Sequence, residues 1–264
     1  MGNTSMLPIR EFAAFTGIPE STLRYYDKIG LLTPELRGSN RYRYYSPIQM
    51  ITVEFVKVLT KVGVPLSTIK KMSKNRTPQS VLDLLIKQER KLDAQLHELQ
   101  EAYAILHAYS TNIQIGVAAS EHTISVQEMD ETNIILGQIN DFSNTNTFYR
   151  PYMKFCETMD SHYPIGGYYE NMNVLLQTPS QPTRFFAMNP HGDSRRKAGK
   201  YLVAYNKGPY GEFGELPQKL FAYAQENKLS FSGPLYIIYL LDEISVAEPN
   251  QYISQIAASV SKAR

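Results

Sequence analysis

Residues 79–113 run without a glycine or a proline, and within them Leu85, Leu92, Leu99 and Leu106 recur at seven-residue intervals. Leu82, Leu96 and Tyr103 fill most of the alternate seam positions. Such a segment folds as one long helix, and its heptads place an apolar stripe along one side that another helix must cover. The outward positions are almost wholly Lys, Glu, Gln and Asp, which favours a coiled coil between two chains. The alternative is a long helix packed on the core of its own chain. Either way the rod divides the chain into a head at 1–76, a helix at 77–115 and a body at 120–264.

The composition suits two globular parts. Of 264 residues, 43% are hydrophobic and 20% charged, enough apolar mass for real cores and too balanced for long disorder. No run of about 18 apolar residues occurs, which argues against a membrane span. The first twenty residues hold acids and no continuous apolar core, so no secretory signal is expected and a cytoplasmic location is. The single cysteine, Cys156, fits a reducing compartment and excludes a multi-cysteine metal or iron–sulfur site. Charge is unevenly spread: residues 1–76 hold 12 Lys and Arg against 5 Asp and Glu, and the remainder 15 against 20. A basic head on an acidic body is expected if only the head meets phosphate, although solvated surface charge can give the same split.

Within the head, residues 9–15 and 20–29 read as short helices, the first stopped by Gly17, the second opened by Pro19 and stopped by Gly30. Together they form a helix-turn-helix candidate. Residues 37–40 carry hairpin-turn chemistry, and the basic, tyrosine-rich run 41–45 suits an exposed wing. A third helix is expected from Pro47 to Val62 with Ser46 as its N-cap, and a fourth from Leu66. Ser21, Thr22, Arg24 and Tyr25 are the candidates for a major groove, while Leu23 and Ile29 read as core. Arg41 and Arg43 are candidates for phosphates, and tyrosine hydroxyls such as that of Tyr44 can donate to the same oxygens.

In the body, alternation predicts strands at 124–127, 134–136, 184–188, 201–205 and 235–241, with helices near 148–159 and 216–225. Residues 252–260 suit either strand or helix. The fold class is α+β. No short-period repeat is visible, although two strand–helix–strand passes could hide one.

The head's runs Leu23-Arg24-Tyr25-Tyr26-Asp27-Lys28-Ile29-Gly30-Leu31-Leu32, Tyr42-Arg43-Tyr44-Tyr45 and 61–71 closely resemble the MerR family of bacterial transcription regulators over residues 6–110. The resemblance implies a winged helix-turn-helix and a homodimer joined by an antiparallel coiled coil. It also implies binding to double-stranded promoter DNA, which the regulator bends and untwists for RNA polymerase. Family phosphate and groove contacts carry onto Arg24, Tyr25, Arg43, Thr22, Arg41 and Lys61. One departure is Pro8, where the family often has a serine N-cap. Metal-sensing members use cysteines just beyond the dimer helix, whereas residues 112–125 hold none and the five histidines show no ligand spacing. No metal and no cofactor is expected.

Gly199-Lys200-Tyr201, Gly208-Pro209-Tyr210 and residues 233–239 resemble the gyrase-inhibitor-like effector domain of multidrug-responsive MerR regulators of the BmrR type. That likeness implies two similar strand–helix–strand halves around a central groove for an aromatic small molecule. Tyr149, Tyr152, Tyr168, Tyr169, Tyr210, Phe213, Tyr236 and Tyr239 are the ligand candidates, since rings stack on planar apolar groups and attract cations. Ordinary core and surface tyrosines are the plain alternative for each. Relatives commonly place a glutamate directly after the tyrosine of the last of these motifs, where this chain has Ile237. Glu170, Asp242 and Glu243 are the acids that could replace it. Some relatives of the domain are hydrolases that depend on that glutamate, and without it or a Gly-x-Ser-x-Gly elbow the expectation is a non-enzyme. The leading reading is a ligand-responsive, DNA-binding activator of a transporter gene or of its own gene. The alternative is a small-molecule binding or hydrolysing domain whose head serves only assembly.

Overall fold

A computed structural model describes residues 6–39, 41–74, 76–120, 123–142, 149–159 and 162–263, in two units, Met1–Glu98 and Leu99–Arg264. Proline and glycine punctuate the first unit. Pro8 and Pro19 directly precede α1 (Ile9–Thr16) and α2 (Glu20–Lys28), with φ of −57° and −55° and no side-chain cap. Gly17 ends α1 at φ +66°, a left-handed backbone that glycine alone adopts without steric cost. Pro8 is also part of β1 (Leu7–Pro8), which joins β2 (Leu36–Arg37) and β3 (Arg43–Tyr45) in a small sheet ordered β1-β3-β2.

The helix expected from Pro47 starts later: residues 47–48 form a turn, and α3 spans Gln49–Lys61. Gln49 nonetheless closes the entry turn as the third residue after Ser46. Its Oε1 accepts from the Ser46 backbone N–H at 3.0 Å, while the Ser46 hydroxyl is buried without a partner among the described residues. Then follow α4 (Leu66–Lys74) and α5 (Pro78–Ala118). The head core gathers Ile9, Phe12, Leu23, Tyr45, Val53, Leu59 and Ile69, with Phe12 stacked on Tyr45 at 4.5 Å. Each such side chain contributes about 1.5–3 kcal/mol on leaving water.

Leu85 leaves the expected seam, turning with Leu84 onto the head core. Leu82, Leu92, Leu96, Leu99, Tyr103 and Leu106 remain exposed, the last three at about 70%. The helix also passes through Gly116 instead of ending there. A Cβ at that glycine would meet the Leu241 side chain at 2.7 Å, so glycine serves a close approach between helix and strand. No helix among the described residues is long and apolar enough to cross a membrane.

The second unit holds β4 (Ile124–Met129), β5 (Thr132–Leu136), α6 (Tyr149–Thr158), β6 (Ile165–Tyr169), α7 (Met172–Gln177), β7 (Arg184–Met188), β8 (Ser194–Arg196), β9 (Gly199–Lys207), α8 (Leu216–Glu226), β10 (Leu229–Leu241) and β11 (Ile253–Lys262). One antiparallel sheet takes the order β4-β9-β11-β10-β6-β7-β5-β8. Two halves repeat within it. In each, a strand is followed by a helix, a second strand and a third strand that inserts between the first two: β5-β7-β6 and β9-β11-β10. The second strands, β6 and β10, meet at the centre, with Tyr169 opposite Leu235 and Gly167 opposite Ile237. One sheet face packs Tyr169, Leu202, Leu235, Ile237 and Ile256 against Leu175 of α7 and Leu220 of α8. The other gathers Phe186, Tyr201, Val203, Tyr236 and Ile238.

Candidate nucleic-acid surface and ligand cavity

Helix α2 has two unlike faces. Leu23 and Tyr26 are buried in the head core, while Ser21, Arg24 and Tyr25 are exposed and Thr22 is half-buried. The Arg24 guanidinium reaches back one turn to Glu20 at 3.0 Å, and half of its side chain stays in solvent. Beside the helix, β2 and β3 form the expected wing, with Arg41 and Tyr42 exposed near its turn. Arg41 takes a left-handed backbone at φ +60°, unusual for a residue with a Cβ. Tyr44 is half-buried and edge-on to Tyr42 at 5.7 Å, and Lys61 is exposed at the end of α3.

Arg43 behaves differently from its neighbours. Its Nε donates to Asp27 Oδ2 at 2.7 Å, and Arg37 donates to both oxygens of the same carboxylate at 2.8 Å. Burial alone would raise the Asp27 pKa, but the hydrogen bonds from Arg43 and Arg37 outweigh it and hold the carboxyl below its usual range.

In the second unit a cavity of about 370 Å³ lies over the junction of β6 and β10. This is within the size range of small-molecule sites. Ile165, Gly167, Tyr169, Ile237 and Tyr239 line it from the two strands, α6 adds Tyr152 and Cys156, and Met159 follows just beyond that helix. Tyr109 of α5, His162, Phe185, Tyr210 and Phe213 also contribute. The Tyr152 ring meets Phe185 edge-on at 5.6 Å, and Tyr210 meets Tyr239 at 4.3 Å. Hydroxyls tie down the loops around it: Gly211 N–H donates to Tyr239 Oη at 2.7 Å, and Tyr169 donates to the Pro179 carbonyl at 2.5 Å.

Charge enters from one short loop. Asp242 and Glu243 both line the cavity, and the Tyr210 hydroxyl donates to Glu243 Oε2. Burial pushes the Asp242 carboxyl up. Burial also raises the Tyr152 phenol, with help from its hydrogen bond to Cys156, to about 12, and the Tyr239 phenol to about 12. These rings stay neutral at physiological pH.

The model of the MerR HTH family regulatory protein matches residues 7–76. The HTH-type transcriptional regulator HmrR of Rhizobium leguminosarum bv. viciae is 30% identical over 98 residues, 35% of this chain and 75% of its own. The chain belongs to the MerR family. Beyond the family's DNA-binding head, the multidrug-efflux transporter 2 regulator of Bacillus subtilis is 27% identical over 250 residues, 89% of each chain. A cryo-EM structure of an EcmrR–DNA complex aligns with 98% of this chain and 100% of its own at 16% identity and a TM-score of 0.42.

Of the ligand candidates, this MerR-family chain brings Tyr152, Tyr169, Tyr210, Phe213 and Tyr239 to the cavity. Tyr168 and Tyr236 are not among its lining. They pack edge-on to each other at 5.6 Å on the opposite sheet face, because strand neighbours alternate sides. Glu170 is exposed just beyond β6 and is also absent from the lining, so Asp242 and Glu243 are the acids at hand. The Tyr149 side chain lies outside the described residues. Tyr109, Cys156, His162 and Gly167 were not foreseen as lining. Tyr109 sits within the heptad helix, and the Gly166-Gly167 pair reads as a strand breaker.

Proposed function

We propose that this MerR-family regulator binds promoter duplexes as a homodimer and changes their shape when an aromatic small molecule occupies its cavity. One observation carries the proposal: the same chain holds a helix face on which Ser21, Arg24 and Tyr25 are exposed and a separate cavity lined by aromatic rings with two carboxylates. Ser21, Thr22, Arg24 and Tyr25 would meet base edges and nearby phosphates, while Arg41, Tyr44 and Lys61 would hold the backbone. The exposed stripe Leu92, Leu96, Leu99, Tyr103 and Leu106 supports pairing with a second copy, since an isolated helix would leave it in water. Pairing by two-fold symmetry would present two recognition helices to a palindromic site, where RNA polymerase would read the distorted promoter. The domain limits proposed are 1–76, 77–115 and 120–264.

The relatives named as regulators of multidrug-efflux transporters support a drug-like effector and a transporter gene as target. We read the cavity as a sensor without catalysis, because Ile237 has no proton to move where hydrolytic relatives place a carboxylate. Fluorescence-anisotropy titration with duplexes selected from a random-sequence pool tests the DNA half. Binding should fall steeply with salt through counterion release. Indifference to salt and sequence would remove the proposal. Thermal-shift screening with matched neutral and cationic naphthalene compounds tests the sensor half.

A further inference from the structure

Arg37 and Arg43 stand directly opposite each other across the β2–β3 hairpin. Like charges in that register repel and would open the wing. The compensating charge comes from neither strand. It comes from Asp27, in the last turn of α2, whose side chain is only 5% exposed and bonds both arginines at 2.7–2.8 Å. A carboxylate this buried is tolerated only while paired, so the three groups hold one arrangement.

We propose that Asp27 is a positioning residue that sets the wing against the recognition helix and so determines the specificity of DNA binding. The inference rests on reading α2 and the wing as the DNA surface. Ser21, Thr22, Arg24 and Tyr25 lie on the same helix as Asp27, and Arg41 lies two residues before Arg43 on the wing. Base contacts and wing phosphate contacts are therefore held at a distance that the Asp27 bridge sets. Sequence-specific binding needs both sets in register at once, whereas non-specific binding needs only positive charge. Arg43, by this account, acts through Asp27 as a strut of the wing.

The test compares a duplex selected by the parent protein from a random-sequence pool with a scrambled duplex of equal composition. Asp27→Asn should weaken binding to the selected duplex about tenfold, while the scrambled duplex binds as before or more tightly. Its salt slope on the scrambled duplex should steepen by about one to two, because each phosphate met by a released arginine adds about 0.9. Asp27→Glu, which keeps a carboxylate, should recover most of the discrimination. The double variant Asp27→Asn/Arg43→Gln should lose no more discrimination between the two duplexes than Asp27→Asn alone, and discrimination is the quantity in which additivity is judged. Equal losses on both duplexes with an unchanged slope would mark a merely structural role and overturn the proposal, as would additive losses in the double variant. A parent protein that selects no duplex would overturn the DNA reading itself, and this inference with it.

Discussion

Ile237 stands directly opposite Gly167 in the antiparallel register of β6 and β10, and both line the cavity. The glycine leaves the middle of the floor bare, and the isoleucine makes what remains apolar. A Cβ at Gly167 would meet Pro182 Cβ at 3.1 Å, tight but against a loop side chain. Gly167→Leu should therefore fill the floor and weaken aromatic ligands more than tenfold, with DNA affinity retained. Calorimetric titration of a ligand found by thermal shift checks this, and unchanged affinity would place the ligand elsewhere.

The rings differ by sheet face. Stacked pairs contribute on the order of 0.5–1.5 kcal/mol beyond area burial, so Tyr152→Ala should weaken ligand binding several-fold to tenfold or more. Tyr168→Ala, on the opposite face, should lower thermal stability and leave ligand affinity within about twofold. The reverse pattern in a paired titration would mean that the opposite face is the site.

The carboxylates at the cavity come from the loop after β10 and not from the strand itself. Glu243→Gln should reduce any preference for a cationic over a matched neutral compound, and Glu170→Gln should not. Ile237→Glu should create a further cation preference of about tenfold while lowering the melting temperature, since it buries a carboxylate without a built partner. Equal neutral and cation affinities in that variant would show that position 237 does not meet the ligand.

Asp27 makes a signed pH prediction. Its folded pKa lies below the unfolded value, so its contribution to stability is present above that value and lost as pH falls through the folded pKa. The stability gap between the parent and Asp27→Asn should be flat from pH 5 to 8 and shrink below about pH 4. Denaturant melts across that range measure it. A gap that grows on acidification contradicts the pairing.

Arg41 separates fold from function. Its left-handed backbone should be relieved in Arg41→Gly, giving about 0.5–1 kcal/mol of stability. The same change should weaken DNA binding and reduce its salt slope by about one through loss of a phosphate cation. A variant that is both less stable and equally good at binding DNA would contradict both assignments.

The exposed stripe predicts assembly. Replacing Leu92 and Leu99 by Lys should bury charge at the seam and give monomers with poor affinity for DNA. Light scattering showing the parent to be a monomer at micromolar concentration would count against the dimer.

Local and periodic signals were legible from the chain alone. Heptads, Gly17 and Gly30, the two faces of α2 and the turn chemistry of the wing act over a few residues, so the head could be placed almost element by element. The body yielded its class and most strands but not its centre. β6 was hidden because Gly166-Gly167 reads as a break, and only the neighbouring strand and Phe186, 2.5–2.6 Å from a would-be Cβ at Gly166, explain why glycine sits inside a sheet. β11 was ambiguous because a strand buried on both faces shows no alternation. Which tyrosines meet at the cavity could not be read either, since a single strand pattern does not say which face is covered. That choice is made when β6 pairs with β10 and the helices cover one side: Tyr169 and Tyr239 turn to the cavity, and Tyr168 and Tyr236 turn away. Likewise the motif around Asp27 was visible, but its bond to two facing arginines exists only once hairpin and helix have packed. Composition and period act along the chain, whereas pairing across strands and loops is decided by contacts between residues far apart in it.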